Sequence, residues 1–258
     1  MKNFIPIFLI CLLVMMSCSK DNDDKVQKTQ ANITFNFSHN WDGTAVTNTD
    51  FNTIKYINAN NDQLRIDRLR YLISNITFTT SNNEEFVLSG YNLVDVTNNE
   101  NLSFTPINLI PTGTYTNVKF TFGFNNEDNS KNYLDLNSTS WFVPKMLGGG
   151  YHYMQFDGKF INASEDEQGF NYHAIRAVDN PGVNPTFPQN TFFEVNLGEV
   201  TLFNDATFNI EMNIAEWFKN PKKWDLNVLN QMLMPNSDAQ IMMFENGQNV
   251  FSLKSINQ

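Results

Sequence analysis

Apolar and polar residues alternate along most of this chain, and this period of two is the feature that most limits its fold. Ile33, Phe35 and Phe37 are separated by Thr34 and Asn36. Successive side chains of a β-strand point to opposite faces of a sheet, so the alternation predicts strands with one buried face. The same pattern recurs at residues 118–124, 152–156, 193–197 and 206–214.

Turn-forming clusters such as Pro111-Thr112-Gly113 separate these segments, and no strand–helix–strand rhythm occurs. The sequence therefore predicts an all-β fold, an antiparallel β-sandwich with Greek-key-like connections. One or two short helices are predicted near the C-terminus, at residues 214–220 and 237–246. No linker-like segment interrupts residues 32–258, so we expect a single domain there.

Composition excludes two broad classes of protein. The chain has 258 residues, 17 Lys+Arg against 27 Asp+Glu, and a net charge of −10. A nucleic-acid binder needs a basic surface to neutralise phosphates, so no nucleic-acid partner is expected. Aromatic residues make up 14% of the chain, which supplies enough apolar surface for a core and argues against disorder.

The N-terminus resembles a bacterial lipoprotein leader. Lys2 precedes an apolar stretch at residues 4–16 that is too short to span a membrane. Ser17 and Cys18 then resemble a lipobox, which predicts a signal peptide at residues 1–17 and lipidation of Cys18. Residues 18–31 are predicted to be the lipidated cysteine and a polar tether. The alternative is a conventional signal peptide with an incidental cysteine.

The predicted location is the outer membrane, with contact to the membrane through the lipid on Cys18. The acidic residues that follow Cys18 resemble the signal that sends lipoproteins of the Bacteroidota to the cell surface, so the domain is expected to face the surface or the periplasm. Cys11 lies inside the predicted signal peptide. The mature chain is therefore expected to have no disulfide.

Three histidines occur in the chain, each beside a predicted strand. His39 ends the first strand on its apolar face, His152 follows three glycines, and His173 alternates with Tyr172. Imidazoles from separate strands can converge at the edge of a sheet, where neutral imidazole binds copper or zinc. The alternative is that each histidine is a hydrogen-bonded core residue, because the intervals are long and no short metal-binding motif occurs.

Several segments, in one order along the chain, resemble the MbnP-like family. They are residues 35–39 (FNFSH), 69–76 (LRYLISNI), 91–95 (YNLVD), 110–115 (IPTGTY), 146–158 (MLGGGYHYMQFDG), 170–173 (FNYH) and 245–251 (ENGQNVF). Together they extend over nearly all of residues 32–253. Their order makes the resemblance far more specific than any one segment.

The resemblance implies a periplasmic or surface β-sandwich that binds copper, related to methanotroph copper proteins encoded near methanobactin and copper-acquisition genes. It implies His39, His152 and His173 as the copper ligands. In some members a dihaem peroxidase partner oxidises a tryptophan to kynurenine at the site. Trp41, two residues after His39, and Trp141, shortly before His152, are both candidates for that residue here.

Two further ligand types are consistent with the sequence. Met146 and Met154 flank His152, and their soft thioethers suit Cu(I). Calcium is a second option at loops rich in Asp and Asn, such as residues 125–129 and the acidic residues 165–167, because calcium prefers oxygen ligands. Their order fits no EF-hand, so solvated loops are the favoured interpretation.

No enzyme activity is predicted. The chain has no Gly-x-Ser-x-Gly elbow, no nucleophilic cysteine in the mature sequence and no phosphate-binding glycine loop. The first functional hypothesis is therefore a lipid-anchored protein that captures or carries copper. The alternative is a non-catalytic surface interaction or glycan-binding module, in which exposed Trp and Tyr stack on sugars and the histidines are structural.

Overall fold

Two β-sheets pack face to face in the computed structural model, which describes residues 29–258. The predicted signal peptide, Cys18 and the predicted tether up to residue 28 lie outside the described residues. The last part of that tether belongs to the fold, because Gln30–Ala31 pairs with Ile110–Pro111 and Ala31 is fully buried. The predicted boundary at residue 32 is therefore slightly late, because residues 30 and 31 already belong to the fold.

The chain alternates between long strands and short connecting elements. The strands are β1 (Gln30–Ala31), β2 (Ile33–Trp41), β3 (Thr44–Ala45), β4 (Tyr56–Ile57), β5 (Gln63–Thr79), β6 (Glu85–Asp95), β7 (Ser103–Phe104), β8 (Ile110–Pro111), β9 (Gly113–Phe122), β10 (Met154–Ile161), β11 (Glu167–Ala174), β12 (Phe193–Leu202), β13 (Ala206–Asn213) and β14 (Phe251–Asn257). The helices are α1 (Asn126–Asn129), α2 (Leu134–Ser138) and α3 (Ser237–Gly247), with 3₁₀ turns at Asn48–Asp50, Lys145–Leu147 and Ile214–Phe218.

The predicted sandwich is confirmed. One sheet has the strand order β11-β10-β5-β9-β12, with β4 and β6 also paired to β5, and the other has the order β14-β13-β2-β3, with β7 paired to β2. A departure from the antiparallel expectation is β13, which runs parallel to β2. The chain reaches β13 directly from β12 in the other sheet, so no hairpin sets its direction.

The core lies between the sheets and is rich in aromatic rings. Phe37 of β2 packs at 6.2 Å between ring centroids on both Tyr71 of β5 and Phe120 of β9. Phe78 of β5 likewise packs edge-on against Phe208 of β13 at 5.8 Å. Such edge-to-face pairs add to the free energy gained by burying the rings. The apolar side of each alternating strand is therefore its inner face, as predicted.

Both predicted C-terminal helices are present. The 3₁₀ turn Ile214–Phe218 falls within the predicted segment 214–220, and α3 matches the prediction for residues 237–246. Asn236 caps α3, because its side chain accepts a hydrogen bond from the Ala239 N–H. Across the described part of the chain, no helix has the length and apolar character needed to cross a membrane.

The outer face of the larger sheet carries polar side chains at the alternate positions of β5, β10 and β11. Gln155 is paired in register with Arg70 on one side and with His173 on the other, and Asp157 is paired with Arg68. The segment between β9 and β10, which contains α1 and α2, connects to this region through Arg70, whose guanidinium donates to the Thr139 carbonyl. This face positions the candidate site.

Candidate metal centre

His152 and His173 are brought together. Their ring centroids are 5.3 Å apart, and the ring planes are nearly perpendicular, at 83°. His173 projects from the outer face of β11, and His152 lies in the extended segment just before β10. His152 is 5% exposed, whereas His173 is partly exposed. The pair joins a buried imidazole to one that solvent can reach.

The carbonyl of Trp141 fixes the imidazole of His152. It accepts the backbone N–H of His152 at 3.0 Å and contacts its Nδ1 at 2.9 Å. A carbonyl can only accept, so Nδ1 carries the hydrogen and Nε2 keeps its lone pair. Nε2 is buried and has no hydrogen-bond partner among residues 29–258. A buried acceptor without a donor is costly and points to a ligand.

Burial also keeps His152 neutral. Desolvation lowers the pKa of His152 to about 4; the hydrogen bond to Trp141 opposes this shift, and the nearby charges of His173, Arg70 and Arg68 add to it. Near neutral pH the Nε2 lone pair is therefore not protonated. An unprotonated imidazole nitrogen is the form that binds metal ions.

Asp157 orients His173. Its Oδ1 lies 2.8 Å from His173 Nε2, and the same carboxylate also pairs with Arg68 and Asn171. Burial alone would raise the pKa of Asp157, but the hydrogen bonds and charges of His173, Asn171 and Arg68 outweigh it and lower that pKa to about 2. A carboxylate that holds one ring nitrogen leaves the other, Nδ1 of His173, for a metal.

Trp141 packs beside the pair. It is fully buried, and its ring centroid lies 5.7 Å from that of His152. Arg70 covers the indole at 5.1 Å, and its guanidinium is held by two hydrogen bonds to Gln155 Oε1, at 2.6 and 2.9 Å. The Nε1 of Trp141 is buried and finds no hydrogen-bond acceptor among the residues that the structure describes. Sequence reasoning missed Arg70, Gln155 and the orienting role of Asp157.

The alternation of apolar and polar residues along the strands could have indicated which of these side chains lie on the outer face. Leu69 and Tyr71 are apolar and buried, so Arg68 and Arg70, which alternate with them along β5, belong on the outer face of the sheet. His173 alternates with Tyr172 and belongs on the outer face for the same reason. The strand pairing that places these outer faces side by side could not be obtained from the sequence.

An apolar pocket, here called the methionine pocket, opens onto His173. It has a volume of about 490 Å³ and is lined by His173, by Met146, Met232 and Met234, and by prolines that include Pro144. Met146 is 60% exposed and Met232 is 78% exposed. Met232 also has φ +57°, a backbone conformation that non-glycine residues rarely adopt and that is often retained at functional sites.

His39 does not join the other two histidines, so the expectation that three imidazoles meet at one point is corrected. It lies on the inner face of β2, 6% exposed, with Nε2 3.1 Å from the Tyr71 hydroxyl. Tyr71 points into the core from β5, whereas His173 lies on the outer side of the same sheet. The sheet therefore separates His39 from the pair. Its alternation with Phe35 and Phe37 already indicated an inward position.

Two other predicted site residues lie elsewhere. Trp41 stacks on Tyr56 with 4.8 Å between ring centroids, and its Nε1 donates to the Ile57 carbonyl at 3.2 Å. Met154 is fully buried in the core, in register with Tyr71. Both are packing residues of the sandwich interior. Met146, in contrast, lines the methionine pocket beside His173.

Two alternatives concern other ligands. Within residues 29–258, no group of three or more His, Cys, Asp or Glu side chains is placed to hold a metal ion, either at the imidazole pair or at the acidic loops. Asp128 is bound to Lys131 and Asn75. The four tryptophans are at most 7% exposed and six of the eight tyrosines are buried, so stacking on a sugar would fall to the partly exposed Tyr91 and Tyr133.

Comparisons with known proteins agree with this architecture. A family model described as MbnP matches residues 30–242. The solved structure of MbnP from Methylosinus trichosporium is similar in fold, with a TM-score of 0.51 and 10% sequence identity; the similarity covers 76% of this chain and 80% of that one. A comparison with curated protein sequences gives no match.

We expect His39 to limit stability in acid. Burial lowers the pKa of His39 to about 4, whereas an unfolded histidine has a pKa near 6.5. As the pH falls between these values the unfolded state takes up the proton first, so stability is lost from about pH 6.5 down to about pH 4. Urea unfolding at several pH values should show that, over this range, the free energy of unfolding of His39→Gln falls by roughly 3 kcal/mol less than that of the unmodified protein.

His152→Gln provides the matched comparison, because burial lowers its pKa to about 4 as well. In each variant the free energy of unfolding should decrease less steeply as the pH is lowered. An unchanged dependence of the unfolding free energy on pH in His39→Gln would contradict this account of His39.

Proposed function

Because the chain belongs to the MbnP family, we propose that it is a lipid-anchored protein that binds copper, without catalytic turnover, through His152 and His173. The observation that carries this proposal is the buried Nε2 of His152, whose lone pair meets no hydrogen-bond donor in the described part of the chain. The ring of a second imidazole, that of His173, lies 5.3 Å from the ring of His152. Such an arrangement is unfavourable for folding alone and suits a metal ion.

The separation of the rings fits a shared ion. Two imidazoles that bind one metal through bonds of about 2 Å at a tetrahedral angle have ring centres roughly 5 Å apart. The observed distance is 5.3 Å. Two nitrogen ligands leave further positions for a third protein group, for water or for an incoming donor.

The surroundings favour Cu(I) over Cu(II). Thioether sulfur is a soft ligand that selects Cu(I), and Met146, Met232 and Met234 line the pocket that leads to His173. The pocket is apolar, which disfavours the more highly charged ion. Copper captured from a donor would enter past these methionines and reach the imidazole pair.

Trp141 is the tryptophan that oxidation to kynurenine would affect, with a dihaem peroxidase as the partner. Its indole lies beside His152, and its Nε1 makes no hydrogen bond to any of the described residues. Trp41, by comparison, is held by the Ile57 carbonyl on the far side of the larger sheet. Oxidation of Trp141 would place new polar atoms next to the imidazole pair.

The outer membrane is the proposed location. The apolar stretch at residues 4–16 followed by Ser17 and Cys18 supports a lipid anchor. A copper site without thiolate ligands also suits an oxidising compartment, where free thiols would be lost to disulfide formation.

Copper binding should depend on two histidines and not on the third. Titration of the metal-free protein with Cu(I), in competition with a chromogenic chelator, should show one tight equivalent that His152→Ala and His173→Ala abolish. His39→Gln is the control and should keep it. Asp157→Asn should weaken it by about 10- to 100-fold, because the carboxylate orients His173. A tight equivalent that persists in both alanine variants would rule out this site.

Oxidation should be confined to Trp141. Protein isolated from its native host is digested, and the peptides that contain Trp41 and Trp141 are compared by mass spectrometry. The expected result is a mass change in the Trp141 peptide alone. A change in the Trp41 peptide, with Trp141 unmodified, would contradict the assignment.

Membrane attachment should require Cys18. Expressed with its own leader, the protein should fractionate with membranes, and Cys18→Ser should move most of it to the soluble fraction, because the acyl chains supply the anchoring free energy. Cys11→Ser, inside the leader, is the control and should behave as the unmodified protein does. Equal membrane association of both variants would exclude a lipid anchor on Cys18.

A further inference from the structure

Arg176 is an arginine without an acidic partner in a strongly acidic chain. Arg65 pairs with Asp67 and Glu167, and Arg68 pairs with Asp157. Arg176 makes no ion pair or hydrogen bond with any residue of the described part of the chain, and its Nε is buried. With a net charge of −10, carboxylates are abundant elsewhere on the surface. An unpaired, partly buried guanidinium is costly, so its retention needs a reason.

An aromatic ring holds this guanidinium in place. The Cζ of Arg176 lies 3.7 Å from the ring centroid of Phe187. Phe187 packs in turn on Gly148, where an added Cβ would lie 2.5 Å from the ring. Stacking occupies the flat face of a guanidinium and leaves the N–H donors on its edge free. Arg176 is therefore ordered without having its donors satisfied.

Arg176 opens into a polar cavity of about 400 Å³, here called the arginine pocket. Lys131 adds a second cation to its lining, and Asn126, Asn129 and residues 148–150 supply polar groups. None of the residues that line it is Asp or Glu. The Oδ1 of Asn129 accepts the Tyr151 N–H at 2.9 Å, which leaves the amide Nδ2 of Asn129 as a donor.

The walls are not uniformly polar. Phe142, which is 53% exposed, and the ring of Tyr151 also line the cavity. Its volume lies within the range of pockets for small organic ligands, which is about 300–1,000 Å³. Two cations, amide donors and aromatic walls together suit a small anion that has a carbon body.

We propose that the arginine pocket binds a small organic carboxylate, with the carboxylate paired to Arg176. The planar edge of a guanidinium matches a carboxylate in a two-bond arrangement, and charge-assisted bonds of this kind are the strong ones. Lys131 adds little to the attraction, because Asp128 at 2.7 Å and Glu127 at 3.4 Å already pair with its ammonium group, so Arg176 is the main anchor. The site is separate from the imidazole pair and does not depend on copper.

The test uses succinate as the probe and succinamide as its uncharged counterpart of similar shape. Binding to the metal-free protein is followed by the ¹⁵N–¹H signal of Arg176 Nε and by calorimetry. Succinate should shift the signal and succinamide should not. Arg176→Gln should weaken succinate binding by about tenfold or more, because it removes a charge-assisted pair. Lys145→Gln, which removes an exposed cation outside the pocket, should change it little.

Further variants separate the possible outcomes. Arg176→Lys keeps the positive charge but lacks the planar edge that makes two bonds to a carboxylate, so it should bind succinate more weakly than the unmodified protein. It replaces Arg176→Gln as the test variant if that variant fails to fold. His173→Ala should leave succinate binding intact even if it abolishes copper binding. Equal responses to succinate and succinamide, unchanged affinity in both Arg176 variants, or binding of inorganic phosphate alone would each overturn the proposal.

Discussion

A single backbone carbonyl, that of Trp141, sets the geometry of the site. It accepts the peptide N–H of His152 and contacts the imidazole Nδ1 of the same residue. The first bond closes residues 141–152 into a loop, which the Val143 N–H to Gly150 carbonyl bond narrows further. The second determines which ring nitrogen keeps its lone pair. Because the acceptor belongs to the backbone, substitution of the Trp141 side chain does not remove it.

The other imidazole is held by a different kind of interaction. Asp157 binds His173 through a carboxylate that is also shared with Arg68 and Asn171. One histidine is therefore fixed by a neutral carbonyl and the other by a charged group. A cation between them would meet one negative charge, that of Asp157, which Arg68 partly compensates. Arg68 and Arg70 keep the local charge from becoming strongly negative, which would suit Cu(I), the ion of the proposed function, better than a divalent ion.

Much of the fold could be predicted because it depends on local pattern. Period-two alternation identified the strands and their inner faces, and the C-terminal helix has its own capping residue and a final glycine. The parallel pairing of β13 with β2 could not be predicted, because it depends on a crossover between sheets. The site was predicted only in part. His152 and His173 lie next to each other, as expected. His39 shares the inward face of Phe35 and Phe37, so the larger sheet separates it from the two other histidines.

The loop between Trp141 and His152 links the two pockets physically. Pro144 and Met146 line the methionine pocket, whereas Phe142 and residues 148–150 line the arginine pocket. Gly148 and Gly150 have positive φ, and a side chain at either would collide with Phe187 or Asn129. The loop therefore has little freedom to move while both neighbours are packed. Since His152 ends the same loop, its position relative to His173 depends on the packing that builds the arginine pocket as well as on the Trp141 carbonyl.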